Sequence, residues 1–199
     1  MLRLRILLPL ALIVLFTWSA ASSWMMRTVH HPPGVLAPRE PQQTPPMDKL
    51  SFKRDGYEIT PLADYWLTAR LLGRQRYFTG READLSPIDF ALGWGLMSDS
   101  QVLDRLEIGQ GGRAYYWNTK SPDLKLEDIL SHSANVHLLP SSPEVKDKLL
   151  DFRPGELVTL VGKLVRVEHP DGWHWDSSLS RTDMGDGSCE VLWVDKAFR

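Results

Sequence analysis

The chain has 199 residues, with 23 Lys and Arg against 25 Asp and Glu, a formal net charge of −2 and a single cysteine. A small negative charge without a basic run argues against a nucleic-acid-binding protein. One cysteine excludes an internal disulfide, so the core of any folded domain depends on packing.

The first distinctive segment is uncharged and mostly apolar, from residue 6 to residue 26, and it follows Arg3 and Arg5. About twenty such residues in a helix match the thickness of a bilayer core. The basic residues before it predict a single-pass anchor over residues 1–27 in a bacterial inner membrane, with the N terminus inside and the C-terminal domain in the periplasm. A cleaved signal peptide is the alternative, because Ser19, Ala20 and Ala21 resemble a cleavage motif.

Residues 28–50 contain six prolines and few bulky apolar side chains. Such a composition buries too little surface to offset the entropy of ordering. We therefore expect a Pro-rich linker here, followed by one globular periplasmic domain over residues 51–199. The stretch 48–199 carries 19 Lys and Arg against 24 Asp and Glu, a net charge of −5.

The first half of that domain begins with alternating apolar and polar residues over 57–72, which predict a strand. Ser86 and Pro87 predict the start of a short helix over 88–92, because Pro is favoured in the first helical position. Ser98 and Asp99 offer a cap for a second helix. Residues 107–117 are typical of a hairpin that turns over the Gly-rich residues 109–112.

The second half is predicted to be mostly extended. Residues 135–139 indicate a strand, and Ser142 with Pro143 predicts a helix that continues to residue 150. The clearest strand covers 157–168 and enters a hairpin turn at 169–172, from which the chain returns over 173–179. A last strand is expected over 189–194. The domain should therefore be α+β in class, β-rich with a few short helices.

The strand that contains Gly162 bears on the architecture, because a barrel strand needs a flexible residue where it bends sharply. Residues 155–165 resemble the first strands of OB-fold domains, including the tRNA-anticodon-like type. This resemblance implies an OB-like or small-barrel C-terminal portion at about residues 142–196.

Four longer motifs resemble a family of uncharacterised bacterial proteins that carry an amino-terminal membrane segment. They are residues 61–63, 86–99, 133–140 and 175–185. This resemblance covers most of residues 48–195 and brings no assigned activity. It implies a Gram-negative protein that faces the cell envelope, in agreement with the predicted anchor.

Candidate binding residues cluster near the C terminus. Trp173 and Trp175 share one face of a predicted strand, where two aromatic rings can stack on a sugar or hold a peptide. The alternative is that they belong to the core. Polar residues near the last turn, with two residues of the strand over 135–139, complete the predicted contact surface: Ser177, Ser178, Arg181, Asp183, Asn135 and His137.

Other chemistry is weakly supported by the sequence. His137, His169 and His174 are a conceivable zinc set, but they lack the close spacing of a zinc-binding motif, and we predict no metal and no cofactor. Cys189 follows no helix start and precedes Glu190, whose charge opposes a reactive thiolate. An inert, packed cysteine is the expected outcome.

These observations predict a membrane-tethered periplasmic binding or assembly module, with an envelope protein or cell-wall glycan as its partner and no nucleic acid. The alternative is an envelope hydrolase that uses His137 with a carboxylate or a metal. An enclosed apolar setting for His137 would favour the binding module. A cleft shared with Asp183 or Glu190 would favour the hydrolase.

Overall fold

A computed structural model describes residues 27–181, 183, 185 and 187–199. Within these residues the chain forms ten strands and four short α-helices. The strands are β1 (Gln42–Thr44), β2 (Phe52–Arg54), β3 (Tyr57–Arg76), β4 (Ile88–Gly93), β5 (Leu106–Gly111), β6 (Ala114–Thr119), β7 (Ser133–Pro140), β8 (Leu157–Glu168), β9 (His174–Asp176) and β10 (Glu190–Phe198). The helices are α1 (Arg81–Leu85), α2 (Ser100–Leu103), α3 (Leu126–Leu130) and α4 (Pro143–Asp151), with a 3-10 turn over Gly95–Ser98. The β-rich α+β class is therefore confirmed.

Five of the strands close into a barrel. The hydrogen-bonded order is β3, β4, β7, β10 and β8, and β8 then pairs with β3 to complete the circle. Strands β7 and β10 are parallel, while the other neighbouring pairs around the barrel are antiparallel. Helix α4 connects β7 to β8 and packs on β7 and β10. Closure of the sheet leaves these five strands without a free edge.

The barrel strands follow from alternating sequence. In β3, alternate residues are buried while the residues between them are more exposed; the buried ones are Ile59, Pro61, Ala63, Tyr65, Leu67 and Ala69. Alternate side chains of a strand point to opposite faces, so this pattern places one face in the core. The strand predicted over 57–72 is confirmed and continues to residue 76.

Gly162, which the sequence predicted as the bend of a barrel strand, lies very close to the backbone of the neighbouring strand β10. A Cβ at this position would lie 1.9 Å from the backbone oxygen of Trp193 on β10. No side chain fits at that distance, so glycine is required where β8 crosses β10. The barrel is not confined to residues 142–196, however, because β3, β4 and β7 come from the first two thirds of the domain.

The short helix predicted over residues 88–92 is wrong, because these residues form β4. All six residues of β4 are buried, and the strand lies between β3 and β7. A short, continuously apolar run has no periodicity to separate a strand from a buried helix. The helix occurs earlier, at α1, and Ser86 and Pro87 lie after its end.

Most of the other predicted elements are confirmed. Asp99 caps α2 through its side chain, and Ser142 caps α4 in the same way. The predicted strands at 135–139 and 157–168 correspond to β7 and β8. The returning strand predicted over 173–179 is shorter, since only β9 pairs with β8.

Residues 29–44 lie against the barrel, although we expected a linker that stands away from it. Val29 donates a backbone hydrogen bond to Pro154, and β1 pairs with β3. Ser98 Oγ accepts hydrogen bonds from the amides of Leu36 and Ala37 at 3.1 and 3.0 Å. Ala37 is only 2% exposed and belongs to the core. Proline lacks an amide donor, but the residues between these prolines supply enough donors to anchor the segment.

The predicted transmembrane segment at residues 6–26 lies outside the described residues. Among residues 27–181, 183, 185 and 187–199, no helix combines the length and the apolar character that crossing a bilayer requires.

Candidate functional site

The candidate site lies where the β5–β6 hairpin meets the barrel. Gly112 and Arg113 form the hairpin turn with φ angles of 59° and 66°. Positive φ at both central residues is the geometry of a tight two-residue hairpin. This turn directs the Arg113 side chain back to the barrel, where Arg113 N donates a hydrogen bond of 3.0 Å to Tyr77 Oη.

Arg113 forms an ion pair with a fully buried carboxylate. Its Nη1 lies 2.7 Å from Oδ1 of Asp89, which is 0% exposed on β4, and its Nη2 donates to the Ser86 carbonyl at 3.0 Å. The guanidinium also stacks over Tyr77, 3.7 Å from the ring centroid. A buried carboxylate requires a cation and hydrogen bonds, and Arg113 supplies both.

His137 is the second side chain that faces Asp89. Its Nδ1 lies 2.9 Å from Asp89 Oδ2, without the alignment of a hydrogen bond. The imidazole is 4% exposed and packs against Trp175, with ring centroids 4.6 Å apart. His137 therefore lies between a carboxylate and an aromatic ring.

A cleft of about 450 Å³ opens beside this cluster, and we call it the histidine cleft. It is lined by Gly112, Arg113, Ala114, His137, His174, Trp175, Asp176, Gly185, Gly187 and Cys189. The predicted residues His137 and Trp175 thus share one wall of a cleft, while Asp89 lies behind them.

A second cleft of about 370 Å³ adjoins the first and shares Ala114, Gly185 and Cys189 with it. We call it the glutamate cleft. Its other lining residues are Tyr115, Trp117, Leu130, Ser133, Ala134, Asn135, Ser180, Arg181, Asp183, Ser188 and Glu190. Three of the predicted residues, Asn135, Arg181 and Asp183, therefore lie together here.

Glu190 is the most unusual titratable group of the glutamate cleft. It is 3% exposed, and its Oε2 has no hydrogen-bond partner among the described residues. Burial raises the pKa of Glu190 to about 8, and the charge of Asp183 adds to this increase. The carboxyl group therefore holds a proton at neutral pH, because removal of a charge from water favours the neutral form.

Arg181 faces the same cleft. Its Nη2 donates to the Pro41 carbonyl at 2.8 Å, which holds the side chain against the N-terminal segment. Its Nε is buried without a hydrogen-bond partner in the described structure. Among the described residues it forms no ion pair with Glu190, so each of the two keeps an unused polar atom.

The two predicted tryptophans have different positions. Trp173 packs on Tyr57 and Trp175 at the side of the barrel, with the Arg81 guanidinium 5.3 Å from its ring centroid. It lines neither cleft. Of the pair, Trp175 alone lines one of the two clefts. Both rings also pack against a cluster of buried apolar residues: Ile59, Leu85, Leu139, Val165, Val167 and Val191.

Ser177 and Ser178 are buried and form hydrogen bonds within their own loop. Ser177 Oγ accepts from the Val191 amide at 3.0 Å, and Ser178 Oγ donates to Asp183 Oδ2 at 2.7 Å. These bonds shape the connection between β9 and β10. The two serines therefore support the cleft wall and do not line the clefts.

The structure separates the histidines of the conceivable zinc set. His169 contacts Asp171 and Tyr57 away from both clefts. No group of three His, Cys, Asp or Glu side chains in the described part of the chain is arranged to hold a metal ion. Burial raises the pKa of Cys189 to about 11, so its thiol is protonated and poorly nucleophilic at neutral pH.

Sequence reasoning missed Asp89 and Arg113, the ion pair that holds the hairpin on the barrel. Asp89 falls within the helix predicted over 88–92, and Arg113 follows the predicted turn. The sequence does contain one indication of the pair: Asp89 is a charged residue inside the otherwise apolar run 88–92, and a buried charge requires a partner.

No protein-family model matches this chain, and no curated protein or solved structure matches it in the comparisons.

Proposed function

We propose that this protein is a membrane-tethered module of the bacterial envelope, which binds a cell-wall glycan or an envelope protein through the two adjoining clefts. The single observation that carries the proposal is the joint cleft itself. It combines aromatic walls with a few polar groups, at a place where a hairpin and a long loop meet on a rigid barrel. Ligand sites commonly have this composition and position.

The barrel supports this proposal through its topology, which we infer to be of the OB type. It has five strands, one parallel pair, and a helix between its third and fourth strands. In OB barrels the connection between the fourth and fifth strands contributes to ligand binding. Here that connection, residues 169–189, supplies one wall of both clefts.

Charge favours a glycan or protein over nucleic acid as the ligand. Asp176 and Asp183 line the two clefts together with Arg113 and Arg181, so the clefts have no excess of positive charge, and the domain as a whole is negative. Such a surface has no positive field to attract a phosphate backbone, whereas hydroxyl groups and peptide groups do not require one. The uncharged leader at residues 6–26 supports a periplasmic location for the domain.

The test is co-sedimentation of the full-length protein, in detergent, with purified cell-wall sacculi, alongside crosslinking in intact envelopes. Trp175→Ala should weaken binding about tenfold, because loss of an aromatic contact costs roughly 1 kcal/mol or more. Trp193→Ala is the matched control, since Trp193 is a half-buried tryptophan outside both clefts and should leave binding unchanged. If neither sacculi nor an envelope protein binds in a Trp175-dependent manner, the proposal fails.

A second candidate, an envelope hydrolase, is favoured by the contact between Asp89 and His137. A carboxylate that orients an imidazole is the usual arrangement of a general base. This candidate requires that the purified protein release soluble fragments from sacculi and that His137→Gln abolish the release while the protein stays folded. Cys189 does not supply the nucleophile, because its thiol pKa is raised.

A further inference from the structure

The glutamate cleft contains two buried polar atoms that no neighbour satisfies. They are Glu190 Oε2 and Arg181 Nε, and both side chains line the cleft; Tyr65 Oη, which lies near both side chains but does not line the cleft, is a third such atom. A buried polar atom without a partner costs about 1–3 kcal/mol, so such atoms are rare unless a ligand or water completes them. Glu190 Oε2 is a carboxyl oxygen that can accept a hydrogen bond, and Arg181 Nε donates one. A complementary ligand group therefore carries both a donor and an acceptor.

The remaining polar groups of the cleft are already occupied. Tyr115 Oη is hydrogen-bonded to Ser133 Oγ, and Asn135 is held by Gln110 and by the Arg113 carbonyl. Asp183 accepts from Ser178. Glu190 and Arg181 therefore carry the buried atoms of the cleft lining that are left for one amide-like group.

The walls of the cleft indicate what the amide is attached to. Tyr115 and Trp117 are two residues apart on β6, are both half-buried, and line the same side. Leu130 and Ala134 add apolar surface. Flat aromatic rings stack on the C–H face of a sugar, and the cleft volume of about 370 Å³ falls at the small end of ligand pockets, which span about 300–1,000 Å³.

We propose that the glutamate cleft binds the acetamido group of an N-acetylated amino sugar. The acetamido N–H and C=O complete Glu190 and Arg181, while the sugar ring stacks on Tyr115 or Trp117. This inference rests on the proposed function and specifies the ligand of the same site. A peptide is disfavoured because it presents an amide at every residue, whereas a glycan presents one on each amino sugar.

The protonation of Glu190 agrees with a neutral ligand. With its pKa raised to about 8, the carboxyl group is uncharged at neutral pH, and Asp183 and Arg181 carry opposite charges. The cleft is then close to neutral and gains little from an ammonium or a carboxylate. A neutral acetamido group is compatible with this charge state.

The experiment measures binding of three trisaccharides to the full-length protein in detergent, by calorimetry at pH 7. The probes are the trimer of N-acetylglucosamine, the trimer of glucosamine, and the trimer of glucose. We expect the N-acetylated trimer to bind at least about tenfold more tightly than either of the others, because only it satisfies both buried groups. Equal binding of the three probes overturns the inference, and so does tighter binding of a tripeptide.

Variants connect the preference to the two side chains. Glu190→Leu and Arg181→Met should each remove the preference, while Glu190→Gln should retain it within about threefold, because Gln is neutral and has the same shape. Arg105→Met, outside both clefts, is the control matched to Arg181→Met and should leave the preference unchanged. Circular dichroism identifies any variant that has not folded. If Glu190→Leu does not fold, the result for Arg181→Met decides the test.

The results separate this inference from the proposed function. Sacculi that bind in a Trp175-dependent manner, without any preference for the N-acetylated trimer, leave the function intact and overturn the inference. If the N-acetylated trimer does not bind, the inference is also overturned, and an ordered water is then the partner of Glu190 and Arg181. Absence of sacculus, trimer and envelope-protein binding together overturns both.

Discussion

The ion pair between Arg113 and Asp89 gives the sharpest stability prediction, because Asp89 has no exposed surface. Arg113→Met removes the guanidinium but keeps most of the aliphatic volume. It leaves Asp89 beside His137 and the Ser86 hydroxyl without a guanidinium, and it deprives the Ser86 carbonyl of its donor. Removal of one partner of a buried pair costs about 3–5 kcal/mol, and the 21% exposure of the Arg113 side chain places this case near 3 kcal/mol.

The measurement is urea unfolding of the full-length protein in detergent, followed by tryptophan fluorescence at pH 7. A loss of about 3 kcal/mol lowers the urea midpoint by roughly 1–3 M, because the free energy of unfolding falls by about 1–3 kcal/mol per molar urea. Arg105→Met is the control, because Arg105 pairs with the exposed Asp123 and its loss should not move the midpoint. Adding Asp89→Asn to Arg113→Met should recover part of the loss, since no buried charge then remains unpaired.

The reasoning is refuted if Arg113→Met and Arg105→Met have equal midpoints. Such a result would mean that Asp89 is stable without the guanidinium. It would also mean that the β5–β6 hairpin does not depend on this ion pair for its position on the barrel. Both clefts share the wall that the hairpin provides, so their shape would then require another explanation.

Three further predictions concern the core and the N-terminal segment. The folded state retains a proton on Glu190 that the unfolded chain releases above about pH 4.5. The stability of the wild type relative to Glu190→Gln should therefore be highest below that pH and decrease as the pH rises to about 8. Urea midpoints of both proteins at several pH values test this, and parallel dependence of the two midpoints on pH contradicts it. Gly162→Ala should prevent folding or destabilise by more than about 3 kcal/mol, whereas Gly111→Ala, with open space around its Cβ, should be neutral in the same assay. Ser98→Ala leaves the amides of Leu36 and Ala37 without an acceptor and should lower the free energy of unfolding by about 1–3 kcal/mol. It should also expose residues 29–44 to protease. Unchanged cleavage would show that other contacts hold the segment.

Several elements could be predicted because their signals are local. The alternation in β3 and β8 and the Ser142 cap of α4 each depend on residues a few positions apart. Gly162 is a further example, since a glycine inside a clear strand indicates a bend or a close approach. The prediction failed at β4, where a short apolar run fits a strand and a buried helix equally well.

The candidate site was predicted in part. His137, Asn135 and Trp175 were selected for their residue types in extended segments, and all three line the joint cleft. Ser177 and Ser178 were selected as surface groups, but they are buried in hydrogen bonds of their own loop. Residue type shows what chemistry a side chain can perform, while its burial depends on segments far away in the sequence.

The amino-acid sequence alone determined the single cysteine, the apolar leader, the alternating strands and the capped helix, because each depends on composition or on short-range spacing. The tertiary structure alone decided the closure of β3 on β8, the docking of residues 29–44, and the contacts of Asp89 with Arg113 and His137. These contacts join residues that are between 20 and 125 positions apart. Their formation depends on which distant surfaces lose the most contact with water together, and no local pattern in the chain records that.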